Sequence, residues 1–394
     1  MVTVSRNPLV SLRGDDIQED SYMRVVSVVG ARPQFVKLAP VDHAMNHAPD
    51  VEHVIIHTGQ HYDRALSDVF FAELGIRAPD IHLGVGSGSH GAQTGAMLAK
   101  LDEQLHRLSP DWTLVYGDTN STVAAALAAV KLQLPIAHLE AGLRSFNRKM
   151  PEEHNRVLTD HAADLLLAPT KVAVDHLAQE GLRERTLLVG DVMTDVCLRT
   201  RDKVSDDEPS LPPGVDPGAP WALATIHRAE NTDFPARLTA IVHAIADVGM
   251  PVVLLAHPRL RAKCQEFGIP LESHPDLHVT SPLGYLQMVR LVMAAHCVLT
   301  DSGGLQKEAF LLGTPCTTLR TETEWVETLK GGWNVLHPET DGLADVVARP
   351  RPVSLRGTPY GDGRAAQQVV TALSERRVGW STLRRITPGA QRSH

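Results

Sequence analysis

Short apolar runs, mostly β-branched, alternate along the chain with longer amphipathic stretches, the pattern of parallel strands joined by crossover helices. In the first half these runs fall at Val25–Val29, His53–Ile56, Leu114–Tyr116, Ile136–Leu139 and Leu187–Val189. A stretch rich in proline and glycine, Pro209 to Pro220, then interrupts the rhythm and reads as an exposed linker. The pattern resumes at Trp221–Ile226, Val252–Ala256, His278–Thr280, Cys297–Thr300 and Cys316–Leu319, with helical segments such as Ala236–Val248 and Tyr285–Ala295 between. The fold class this predicts is α/β, with two doubly wound domains at residues 24–205 and 206–363 behind a flexible extension at 1–23. Ligands of open parallel sheets bind beyond the carboxyl ends of the strands, so loops from both halves can face one cleft.

Composition narrows the function. The 394 residues, 43% hydrophobic and 21% charged, suffice for two cores. A net charge of -8 argues against a nucleic-acid partner, which calls for a concentrated basic face. Cys197, Cys264, Cys297 and Cys316 are widely spaced without CxxC pairing, which fits a reducing compartment, the cytoplasm. Apolar runs such as Ala124 to Val130 fall short of the roughly 18–20 residues that a membrane span needs, so no membrane partner is expected. Residues 1–23 lack the apolar run of a secretory signal.

Two strand-to-helix turns are candidates for anion binding. Gly30-Ala31-Arg32-Pro33-Gln34-Phe35-Val36-Lys37 combines a tight glycine turn, a proline suited to the first helical turn, and two cations. It reads equally as an ordinary turn. Asp301-Ser302-Gly303-Gly304-Leu305-Gln306-Lys307-Glu308 exposes backbone N–H groups at a helix N-terminus, where a phosphate gains from the helix dipole. Glu308 can accept both hydroxyls of a ribose, while the SGG turn alone also reads as a helix cap. Neither segment is a GxGxxG or a Walker loop, and no HExxH or close Cys/His quartet occurs. No metal and no cofactor are expected.

Acidic residues gather at predicted strand ends: Asp118, Glu140, and Glu152 with Glu153. Carboxylates after successive strands can converge on one substrate and exchange protons with it. Singly, each also reads as a cap or a surface charge, Asp118 as N-cap of a helix starting at Thr119. His227, after the strand ending at Ile226, can shuttle a proton or, with Arg228, meet a pyrophosphate.

GARPQFVK, HTGQHYD, YGDTNST, HLEAGLRS, PEEHNR, TIHRAEN, DSGGLQKEA and PYGDG stand in an order and spacing that resemble the non-hydrolysing UDP-N-acetylglucosamine 2-epimerases over roughly residues 24 to 380. The resemblance implies two Rossmann-like domains in the GT-B arrangement, with a C-terminal helix at about 364–380 crossing back to the first. It implies a homodimer serving polysaccharide biosynthesis and a UDP-sugar substrate. Ser302, Gly303 and Gly304 would take the phosphates and Glu308 the ribose, with the sugar facing the first domain. The implied reaction is anti elimination of UDP to 2-acetamidoglucal and re-addition after carbon 2 is reprotonated on the opposite face. Asp118 and Glu152 match positions for proton transfer, and Glu140 a position that assists them. His227, Arg32, Lys37 and Arg156 match positions that orient or stabilise the diphosphate.

Gln34 and Trp325-Val326 depart from the GTRPE and TERPE runs of many members and resemble a branch acting on UDP-2,3-diacetamido-2,3-dideoxyglucuronic acid. Gln34 is expected to remove a negative charge from the entrance. Rival activities are a hydrolysing 2-epimerase and a GT-B glycosyltransferase, which transfers the sugar to an acceptor. Some bacterial members are activated by a second UDP-sugar at the segment that here reads Gln60 to Ser67, and its divergence predicts weak or absent activation.

Overall fold

A computed structural model describes residues 22–60 and 75–386, Arg32 and residues 377–386 through their backbone alone. The 1–21 part of the expected extension and the activator segment beyond Gln60 lie outside the described residues. The first half runs β1 (Met23–Val29), α1 (Arg32–Asn46), β2 (Val51–His57), β3 (Ile81–His82), α2 (His90–Leu108), β4 (Trp112–Tyr116), α3 (Asn120–Lys131), β5 (Ile136–Leu139), α4 (Pro151–Ala162), β6 (Leu165–Ala168), α5 (Lys171–Gln179), β7 (Thr186–Leu188) and α6 (Val192–Lys203). The second runs β8 (Ala222–Thr225), α7 (Ala229–Thr232), α8 (Pro235–Ala246), β9 (Val252–Leu255), α9 (Pro258–Phe267), β10 (Leu277–Thr280), α10 (Tyr285–Ala294), β11 (Cys297–Thr300), α11 (Gly303–Leu312), β12 (Cys316–Thr318), β13 (Asn334–Leu336), α12 (Leu343–Val347) and α13 (Ala365–Ile386).

Among the described residues every strand pairing is parallel, in two sheets ordered β3-β2-β1-β4-β5-β6-β7 and β10-β9-β8-β11-β12-β13. Each order reverses once, between β1 and β4 and between β8 and β11, and a crevice opens at such a switch point. The central strands are buried on both faces, as parallel sheets covered by helices require, while the edge strands β3, β7 and β10 are partly exposed. Three strands lie beyond the ten expected ones: Ile81–His82, Leu165–Ala168 and Asn334–Leu336. Each has at most four residues, too short to show a period.

Helix α13 returns to the first sheet. Val369 and Leu373 join its core, Leu373 O accepts from Trp112 Nε1 at 3.1 Å, and the Asp195 carboxylate accepts the first helical N–H groups, Ala365 and Ala366, at 3.0 and 2.8 Å. The halves are also joined by a buried ion pair between Lys307 and Asp191, with Lys307 Nζ 3.8 Å from the centre of the Trp325 ring. Phe310, Trp325, Trp333 and Tyr360 form an aromatic cluster around that junction.

Candidate active site

A cavity of about 800 Å³ takes wall residues from both switch points, a size usual for small-molecule sites. From the first half come Pro33, Lys37, Asp118, Glu140 and Arg156; from the second come Arg228, Gly304, Lys307, Glu308 and Glu324.

Asp118 follows β4 in a turn where Gly117 adopts φ +62°. Thr119, not Asp118, caps α3, its side chain accepting from Thr122 N, so the expected capping role is corrected. Asp118 keeps its carboxylate for Arg156, whose Nη2 lies 2.6 Å from Oδ2, while Asn155 Nδ2 holds the Asp118 carbonyl at 2.9 Å. Glu140 follows β5 at φ +70°. A left-handed conformation costs a non-glycine residue on the order of 1–2 kcal/mol, and such strain gathers at functional sites. The turn aims the carboxylate at Lys37, with which it forms an ion pair in the cavity wall. Burial lowers the Lys37 pKa, but Glu140 and Asp118 outweigh it and push the pKa above the ordinary value, so Lys37 stays an ammonium.

The loop and helix beyond β5 separate two neighbouring acids. Glu153 is buried and accepts from Ser145 N and Oγ at 2.9 Å, Phe146 N at 3.0 Å and Arg156 Nη1 at 2.8 Å. Burial pushes its pKa up, and these donors hold it below the usual carboxylate range. Glu152 is half-buried in the first turn of α4 and is not part of the cavity wall. Arg32 opens α1, and its side chain lies outside the described residues.

Gln34 is a correction. It is 1% exposed, its Oε1 accepts from Gly30 N and Ala31 N at 2.8 and 3.0 Å, and its Nε2 donates to Tyr116 O at 2.9 Å. Its amide ties the start of α1 to the end of β4 and changes no charge at the entrance, because one group both donates and accepts there. Gly30 is required by packing, since a Cβ would sit 2.0 Å from Thr58 Oγ1 and 2.2 Å from Ser121 Oγ. Gln60 accepts from the same Ser121, N at 3.1 Å and Oγ at 2.7 Å.

In the second half, fully buried Asp301 accepts from His227 N and Arg228 N at 3.1 and 2.9 Å and from Asn231 Nδ2 at 3.1 Å, which fixes the turn after β8. His227 Nδ1 lies 3.4 Å from the same carboxylate. Burial lowers the His227 pKa, with His257, Arg228 and Arg259 adding to it against the opposing pull of Asp301. Ser302 caps α11, and Gly303 and Gly304 form its first turn. Gly304 and Glu308 line the cavity, whereas His227, Ser302 and Gly303 border that turn without forming its wall. Burial raises the Glu308 carboxyl to about 7, against the pull of Tyr285 and Lys307. Among the described residues no His, Cys, Asp and Glu cluster could hold a metal ion.

The family model described as UDP-N-acetylglucosamine 2-epimerase matches residues 43–374, across both sheets. The chain belongs to the UDP-N-acetylglucosamine 2-epimerase family, a family of isomerases. It is 44% identical over 365 residues to a UDP-2,3-diacetamido-2,3-dideoxy-D-glucuronate 2-epimerase of Pseudomonas aeruginosa, covering 90% of this chain and 100% of the relative. It is also 44% identical to a UDP-N-acetylglucosamine 2-epimerase homolog of Methanococcus maripaludis, covering 89% and 99%. The crystal structure of the Methanocaldococcus jannaschii UDP-GlcNAc 2-epimerase in complex with UDP-GlcNAc and UDP is similar at TM-score 0.77 and 37% identity, covering 90% of this chain and 100% of that one. The doubly wound α/β class expected from the strand pattern is the class observed, and so is the GT-B-like arrangement that the resemblance implies.

Three features of this epimerase escape sequence reading: the anchoring role of Glu153, the Lys307–Asp191 pair beside Trp325, and the left-handed backbone of Glu140. The Lys37–Glu140 pair spans 103 positions, and nothing local signals such a contact. The acidic doublet 152–153 is visible, but which member turns inward depends on the loop before α4.

Proposed function

We propose that the protein converts UDP-N-acetylglucosamine to UDP-N-acetylmannosamine by anti elimination of UDP and re-addition. The observation that carries this reading is one cavity walled by Asp118, Glu140, Lys37 and Arg156 on one side and by Gly304 and Glu308 at a helix N-terminus on the other. A carboxylate, Asp118 or Glu152, takes the proton from carbon 2 while the bond from carbon 1 to the diphosphate oxygen breaks. UDP departs as the anion, held at the α11 N-terminus through Ser302, Gly303 and Gly304, with Arg32, Lys37 and Arg156 balancing its charge and His227 orienting it. Glu308 holds the ribose. Diphosphate oxygen then re-attacks carbon 1 of 2-acetamidoglucal as a proton reaches carbon 2 from the opposite face, with Glu140 assisting.

Incubation with UDP-N-acetylglucosamine alone, followed by proton NMR, tests this directly. UDP-N-acetylmannosamine is the expected product. Free N-acetylmannosamine with UDP would favour the hydrolysing reading, and turnover only with an added acceptor the transferase. A second reading, the same chemistry on UDP-2,3-diacetamido-2,3-dideoxyglucuronic acid, is favoured by the 44% identical relative named for that sugar. Comparison of kcat/KM for the two sugars separates them. We also take the enzyme to be a cytoplasmic homodimer. Four buried free cysteines support a reducing compartment, and light scattering on the purified enzyme tests the dimer. Among the described residues no helix is long and apolar enough to cross a membrane.

A further inference from the structure

His138, the third residue of β5, is fully buried and has no part in the reaction as assigned above. Its Nδ1 lies 2.7 Å from Asp160 Oδ1 and its Nε2 lies 2.8 Å from the carbonyl oxygen of Gly117. A carbonyl oxygen and an ionised carboxylate only accept hydrogen bonds. Asp160 is ionised on grounds independent of the ring: the permanently charged Arg144 guanidinium lies 2.7 Å from its Oδ2, and the Gly142 N–H donates to the same oxygen. Both ring nitrogens of His138 therefore carry a proton. A neutral imidazole would turn one bare nitrogen toward an acceptor lone pair, in a place where no water competes.

The charge of that imidazolium is matched locally. Asp160 Oδ2 also takes Arg144 Nη1 at 2.7 Å and the backbone N–H of Gly142 at 3.2 Å, and Arg144 Nε and Nη2 reach the Glu180 carboxylate at 2.7 and 2.8 Å. Two cations and two carboxylates thus form one chain, buried except at Glu180. Its His138–Asp160 segment holds backbone at two points, on both sides of the site. One is the carbonyl immediately before Asp118; the other is the N–H two residues after Glu140. Both landing points are glycines in left-handed turns, Gly117 at φ +62° and Gly142 at φ +81°, and a Cβ on Gly142 would meet Ala173 O at 2.4 Å.

We propose that His138 is a buried imidazolium acting as a positioning residue, clamping the Asp118 turn to the Glu140 turn so that the two carboxylates keep a fixed separation in the cavity. This rests on the proposed assignment of Asp118 to proton transfer with Glu140 assisting. A side chain able to make only one of the two bonds leaves one turn free, and displacement of a reacting group by about 1 Å costs on the order of 100-fold in rate.

Two measurements test the clamp. In wild-type enzyme with ¹⁵N-labelled histidine at neutral pH, the His138 ring, identified by its contacts to Gly117 and Asp160, is expected to show both nitrogens protonated. One protonated and one bare nitrogen would overturn the proposal whatever the enzyme does to sugars. In His138→Gln, with His138→Asn as the alternative where the first does not fold, kcat is expected to fall about 10–100-fold. UDP affinity should stay within about twofold, because that site is on the other sheet; a merely destabilising change would lower both together or neither. An unchanged kcat overturns the positioning role. Failure of wild-type enzyme to exchange the carbon 2 proton would instead sink the functional reading, and the nitrogen protonation would still report on the clamp's charge.

Discussion

The two switch points have one topology and opposite chemistry. Between β1 and β4 the site is built from charged side chains in opposed pairs, Lys37 with Glu140 and Arg156 with Asp118 at 2.6 Å, above the buried His138, Asp160 and Arg144 and the half-buried Glu180. Between β8 and β11 the turn that opens α11 is built from backbone, with Arg228, Lys307 and Glu308 beside it in the cavity wall. Asp301 spends its carboxylate on two N–H groups and an amide, and α11 opens with two glycines behind its Ser302 cap. Proton transfer needs ionisable groups whose charges are nearly balanced, so small changes shift the proton. Anion binding needs fixed N–H donors and a helix dipole, and no proton has to move. One doubly wound frame meets both demands by changing only the turns at the carboxyl ends of its strands.

The contrast breaks most visibly at Asp118. Asp118→Asn keeps size and hydrogen bonding but cannot take a proton, so kcat should fall roughly 10²–10⁴-fold with UDP affinity, measured by calorimetry, nearly intact. Unaltered turnover would remove the side-chain half of the comparison.

The junction comes next. Lys307→Met leaves the Asp191 carboxylate buried without its partner, a change that destabilises by about 3–5 kcal/mol in urea unfolding. Adding Asp191→Asn should restore much of that, because Asn still caps α6 while carrying no charge. A single variant as stable as the wild type would show that the pair does not join the halves.

Smaller effects belong to the nucleotide side. Glu308→Ala should weaken UDP binding by roughly 1.5–3 kcal/mol through loss of hydrogen bonds to a charged group, while carbon 2 exchange at saturating substrate persists. The Glu308 carboxyl is pushed up to about 7 by burial, and its ionised form accepts from the ribose. Uridine, which has no phosphate to titrate, should therefore bind more tightly as pH rises through that value. In Glu308→Gln the pH dependence should vanish. The stability sign is the reverse: a raised carboxyl pKa favours the folded state below the unfolded value of 4.5, and that contribution is lost as pH rises through about 7. Glu308→Gln should accordingly gain in Tm relative to wild type at pH 8 and not at pH 5.

Much of this was legible in the sequence, and the rest was not for identifiable reasons. Strands such as Ile136–Leu139 and Cys297–Thr300 have the predicted bounds because burial on both faces leaves a short, mostly apolar run between polar turns. Leu165–Ala168 escapes because four apolar residues beside a helix have no period of their own. The SGG turn is visible because glycine and serine at a helix start are local signals. Gln34 was misplaced because its partners, Tyr116 O and Thr122 Oγ1, lie 82 and 88 positions away and turn an apparent entrance residue into a buried tie. His138 carries no local signal at all, since only the folded chain brings Gly117 O and Asp160 to opposite sides of its ring.

The central claim is that the bond between carbon 2 and its hydrogen breaks and reforms in this cavity. Wild-type enzyme and UDP-N-acetylglucosamine in deuterated water test it most directly. The account predicts UDP-N-acetylmannosamine carrying deuterium at carbon 2, with the label also entering recovered substrate as the reaction reverses. Epimerised product that retains its original hydrogen at carbon 2 would contradict it.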